Sequence, residues 1–126
     1  MRTIPNKETL TIEFKSDLKK LHDNDLIDAV IGMTNTEGGL LFLGVEDNGE
    51  ITGVHKQHAD EIGVIALIAN KTVPSISVRA EVIIEEEREV LKIEGEECFQ
   101  SIRCLFYPYC KGREDQQFRN SQKQFM

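Results

Sequence analysis

No tryptophan occurs in the chain, and tyrosine, proline and methionine are scarce, at two, three and three of 126 residues. No apolar run approaches the roughly 20 residues that a helix needs to span a bilayer. The N-terminal MRTIPNKETL lacks the continuous hydrophobic segment of a secretory signal. Neither a membrane span nor export is expected, and the cytoplasm is the expected compartment. Cysteine is limited to Cys98, Cys104 and Cys110. An odd number does not build a disulfide framework, and no close C-x-x-C pair or neighbouring histidine completes a zinc set. Reduced thiols are the expectation. The phosphate-loop pattern G-x-x-x-x-G-K-(S/T) is absent, so no ATP site is expected in this chain.

Positive charge is also short. The net charge is −7, whereas a protein that coats nucleic acid nonspecifically is basic, because neutralised phosphates supply its affinity. The balance is uneven. Residues 81–97 hold eight acids and two bases, while residues 1–20 hold five bases and three acids, and residues 111–126 hold four bases and two acids. A basic face inside an acidic total is therefore compatible with the sequence.

What is present is a patterned α/β chain. Leu10, Ile12 and Phe14 alternate with Thr11, Glu13 and Lys15, the period of a half-buried strand. Leu26, Ala29, Val30 and Met33 recur at helical spacing, with Asp23 or Asn24 as the expected cap and Gly38 or Gly39 as the left-handed stop. LLFLGV reads as a strand buried on both faces, and Asn48-Gly49 as a two-residue hairpin turn leading to a short return strand, EITGV. HADEIGVIALIANKTV forms a second helix, stopped before Pro74. SISVRAEVII and EVLKIE form two more strands around the polar stretch 85–89. The order β-α-β-β-α-β-β predicts a two-layer sandwich, helices on one face of a mixed sheet. The domain is expected over 1–97. Residues 98–126 read as an irregular tail with a strand within SIRCLFY at most.

The acids raise the functional question. Glu13 and Lys15 project from one side of the first strand, and Glu8 joins them only if the chain bends near Thr9. Glu46 and Asp47 close the second strand, and only one of the two can face the same side. Surface acids are common, so Glu13 and Lys15 also read as an exposed ion pair and Asp47 as a turn residue. His22, His55 and His58 read as ordinary surface histidines, since no third close ligand accompanies His55 and His58.

The ordered set Glu8-x4-Glu13-Phe14-Lys15, Asn35-Thr36-x-Gly38-Gly39 and Phe42-x-Gly44-Val45-Glu46-Asp47-Asn48-Gly49-x-Ile51-x-Gly53 resembles the Schlafen AlbA-like domain. Such domains stand at the N-terminus of bacterial transcriptional regulators and divergent AAA-type proteins. For those members the resemblance implies DNA binding, DNA favoured over RNA, with further domains in the natural protein. Lys15, Arg79, Lys111 and Arg113 are the candidate nucleic-acid contacts. For some animal relatives the resemblance implies a divalent-metal ribonuclease. Carried across, its ligands are Glu8, Glu13 and Asp47, or Glu46 in place of Asp47, holding Mg²⁺ or Mn²⁺ beside Lys15. Near the end of the chain Phe118-Arg119-Asn120-Ser121 is only a faint echo of the family's aromatic final strand. A third reading is a protein-interaction module using exposed edge strands near 51–54 and 89–94. Homodimer formation is the way expected to cover Phe99, Leu105, Phe106 and Tyr107.

Overall fold

The alternating and helical patterns assemble into a mixed sheet carrying two helices. A computed structural model describes residues 2–97, and residues 103–104 as backbone. Strand β1 is Ile12–Lys15, helix α1 Asp23–Thr34 and β2 Gly38–Leu43. A short 3-10 turn, Lys56–Ala59, leads into α2, Glu61–Lys71. Then follow β3 at Thr72–Val73, β4 at Arg79–Glu85, β5 at Arg88–Glu96 and β6 at Arg103–Cys104. The main sheet runs β1-β2-β5-β4. Strand β1 pairs parallel with β2, and the other two pairings are antiparallel. Strand β6 lies within the SIRCLFY segment and pairs with β3.

Both faces of the sheet are covered. Leu41, Leu43, Leu91 and Ile93 face the helices and pack with Leu26, Val30, Val64 and Ile68. On the other face Phe14, Phe42 and Val90 meet Ile4, Val45 and Ile51. The Phe14 and Phe42 rings meet edge to face, with centroids 6.2 Å apart. Both helices belong to one layer, as the sequence pattern implies. The opposite layer is supplied by the N-terminal segment and the loop after β2.

Several local expectations are corrected. Leu10 is 92 % exposed; the chain folds back through a turn in which Thr9 N–H donates to the Ile12 carbonyl at 2.9 Å, so alternation begins only at Ile12. The N-cap of α1 is His22, not Asp23 or Asn24, and it makes no side-chain capping bond. Gly38 and Gly39 do have positive φ, of 77° and 143°. They open β2 rather than stop α1, where a Cβ at Gly39 would strike the Thr11 backbone. After β2 the hairpin reduces to a turn, with Gly49 N–H on the Glu46 carbonyl at 2.8 Å, and one bridge between Val45 and Ile51. Residues 51–54 are therefore not an edge strand. Residues 89–94 belong to β5, an interior strand; the edges are β1 and β4. Phe99, Leu105, Phe106, Tyr107 and residues 118–121 lie outside the described residues.

Candidate functional site

The bend at Thr9 brings Glu8 back beside β1. Its Oε1 accepts from Phe14 N–H at 2.8 Å, and Glu8 and Glu13 line one cleft of about 110 Å³ with Leu10, Ile12, Met33 and Leu40. Glu13 is 3.8 Å from Lys15 Nζ, and both side chains are about one-third exposed. Pairing through β2 places Glu13 opposite Leu41 and Lys15 opposite Leu43, on the helix side of the sheet.

The third acid stands elsewhere. Glu46 and Asp47 come only after β2 has ended at Leu43. Glu46 Oε2 accepts from Thr52 Oγ1 at 2.6 Å, and Asp47 is exposed in the turn. Among the described residues no group of three or more His, Cys, Asp or Glu could hold a metal ion. Glu8, Glu13 and Asp47 or Glu46 are thus not gathered into such a group. The two glutamates share a cleft while the other two acids lie past the far end of the neighbouring strand, with one Glu8 oxygen and one Glu46 oxygen already hydrogen-bonded.

The candidate cations are also dispersed. Arg79 sits on β4, the opposite sheet edge from Lys15, and on the opposite face, through the register Arg79–Glu94–Leu40–Ile12. It is 83 % exposed and 3.8 Å from Glu94. Lys111 and Arg113 lie outside the described residues.

A different constellation emerges at the C-terminal end of β1. Asp17 has no exposed side-chain surface. Its Oδ1 accepts from Leu21 N–H at 2.7 Å. Its Oδ2 accepts from His55 N–H at 2.7 Å and lies 2.8 Å from His58 Nδ1. One buried carboxylate thus binds the loop after β1 to the 3-10 turn before α2. His55 Nδ1 in turn accepts from Gln57 N–H at 3.2 Å and caps that turn. The expectation of surface histidines fails for His58, which is 3 % exposed. Its missed partner lies far away in sequence, and the one available hint was an Asp among lysines in the first loop. The tie joins a loop carrying exposed Lys19 and Lys20 to a turn carrying exposed Lys56, and Lys15 ends the strand that precedes the first loop. The first turn of α1, carrying Asp23 and Asp25, opens beside Lys20.

A family model described as Schlafen, AlbA_2 matches residues 8–121. The chain belongs to the Schlafen AlbA_2 family. Among solved structures, this AlbA_2 chain is similar to the DIP2311 protein of Corynebacterium diphtheriae, with a TM-score of 0.65 at 22 % identity. That match covers 82 % of this chain and 21 % of the other, so this chain spans about a fifth of that chain's length. It is also similar to the N-terminal domain of a RecG-related protein of Nitrosomonas europaea, with a TM-score of 0.61 at 18 % identity, covering 83 % of this chain and 76 % of that one. At these identities the likeness is one of fold. No curated protein matches. No helix among the described residues is long and apolar enough to cross a membrane.

Proposed function

We propose that this AlbA_2 domain is a nucleic-acid-binding module that contacts DNA phosphates through the two loops tied by Asp17, serving as the docking half of a longer regulator. The observation that carries the reading is the buried Asp17–His58 tie, which spends a fully desolvated carboxylate on holding two lysine-bearing loops side by side. Within residues 16–22 the single acid is this buried aspartate, so the exposed charge of that loop is that of Lys19 and Lys20. Lysines contribute affinity as mobile point charges along a phosphate backbone, without reading bases. The family and the RecG-related neighbour, named for a DNA helicase, support the same direction. Arg79 is left out of this interface because it belongs to the other edge and face of the sheet. A metal ribonuclease is not adopted, because among the described residues no group of three or more His, Cys, Asp or Glu supports it.

The test is binding of a labelled DNA duplex, followed by anisotropy across a salt series. The unmodified chain is expected to show log affinity falling linearly with log salt. Reversing Lys19, Lys20 and Lys56 to Glu together should weaken binding at least about tenfold and flatten the slope by roughly 0.9 per lost contact. Unchanged affinity and slope in that variant would remove these loops from the interface.

A further inference from the structure

Strand β4 has a neighbour on one side only among the described residues. Its free edge carries the sequence Arg79-Ala80-Glu81-Val82-Ile83-Ile84-Glu85. A free edge of this length presents backbone donors and acceptors to another strand, and natural edges are blunted by charge. Here the charges carry opposite signs at the two ends of the strand. Ile84 is 73 % exposed on the helix-side face, in line with Ala80 and Val82, which pack against the helix-side core.

We infer that β4 is a homodimer edge, pairing antiparallel with the β4 of a second copy about a twofold axis through Val82. An axis perpendicular to the sheet keeps the two helix faces continuous and sets each residue against a partner on the same face. Arg79 then stands opposite the partner's Glu85 at both ends of the ladder. Ile84 stands opposite the partner's Ala80, and the two Val82 side chains meet at the centre, giving one apolar row across the joint. Charge selects this register. Moving the axis to Glu81 or to Ile83 sets Glu81 opposite the partner's Glu81 or Glu85, and like charges directly opposed destabilise a ladder. Moving it to Ala80 pairs Arg79 with Glu81 but leaves Val82 to Glu85 without partners.

The side chains are available for this role. The Arg79 contact to Glu94 spans 3.8 Å between exposed groups, and such a pair contributes little. Glu85 holds the N-terminal segment through Oε1, which accepts from the N–H groups of Thr3 and Ile4. Among the described residues its Oε2 has no partner. The product is a continuous sheet in which β4 meets β4 and β1 forms each outer edge. It requires no residue of the lysine loops, so it stands or falls separately from DNA binding.

Sedimentation equilibrium of the full chain over a concentration series tests the inference. A dimer is expected, with Arg79→Glu and Ile84→Lys each raising the dissociation midpoint about tenfold or more, since each change enters twice by symmetry. Glu85→Arg should act likewise, and mixing it with Arg79→Glu should restore a dimer as a mixed species that neither variant forms alone. If Glu85→Arg unfolds the N-terminal segment, Ile84→Lys and Arg79→Glu decide the question, since both side chains are largely exposed. A monomer at all concentrations overturns the inference. So does a dimer whose midpoint ignores both exposed changes.

Discussion

Asp17 accepts three hydrogen bonds without any exposed side-chain surface, so its removal leaves two part-buried backbone donors and the buried His58 ring without their acceptor. Breaking one side of a buried pair is among the costliest single changes. Asp17→Ala should lose about 3 kcal/mol of stability, read from urea denaturation, and under the proposed function should weaken DNA binding as the loops separate. The glycines offer a second contrast. Gly39 has φ of 143° and a would-be Cβ against Thr11, whereas Gly53 has φ of 90° and only ordinary contacts, the nearest atom being 3.5 Å away. Gly39→Ala should therefore cost roughly 2 kcal/mol or more, and Gly53→Ala about 1 kcal/mol; the order of their melting temperatures checks this. Which glycines matter was legible in the sequence. Why they matter was not, because a helix stop and a close backbone approach look alike until the neighbouring strand is placed.

At the level of elements, the β4–β5 hairpin turns at Glu86 and Glu87, which have φ of 53° and 63°. Two successive left-handed residues are the geometry of a tight hairpin turn that asparagine and glycine adopt with little strain. The contact of Glu86 to Arg2, at 3.8 Å with the Glu86 side chain 60 % exposed, offsets little. Replacing Glu86-Glu87 by Asn-Gly should stabilise the fold by about 1 kcal/mol, seen as a higher denaturant midpoint with an unchanged slope. Helix α2 depends on Asp60, whose carboxylate accepts from Gly63 N–H at 3.1 Å; Asp60→Ala should cost about 1 kcal/mol. Helix α1 was found where its wide, periodic apolar stripe placed it, though both of its caps differ from those expected. The polar stretch 85–89 read as a loop, yet pairing of Glu85 with Arg88 tightens it to two residues. Composition alone misleads there, because cross-strand hydrogen bonds outweigh the poor turn propensity of glutamate. The Asn48-Gly49 turn formed, with Glu46 N–H on the Glu50 carbonyl and Thr52 N–H on the Gly44 carbonyl, each at 2.9 Å, but its return is a single bridge between Val45 and Ile51 and not a strand.

Across the whole molecule, stability should follow strand position rather than strand length. Strands β2 and β5 are flanked on both sides and contribute Leu41, Leu43, Leu91 and Ile93 to one core, Phe42 and Val90 to the other. Their amides should be the slowest to exchange with deuterium, with the edges β1 and β4 opening earlier. Uniform protection across all four strands would contradict this ordering. The sequence by itself determined the layered α/β class, the presence and order of the two helices and the family, because hydrophobic period and glycine spacing are local and survive without any knowledge of neighbours. Only the tertiary structure decided which charges meet. It drew Glu8 to Glu13 and left Glu46 and Asp47 beyond the end of β2; it set Arg79 and Lys15 at opposite edges; and it buried His58 against Asp17. Those outcomes depend on strand register and on loop closure between distant residues, and a one-residue shift in register moves every charge on a strand to the other face.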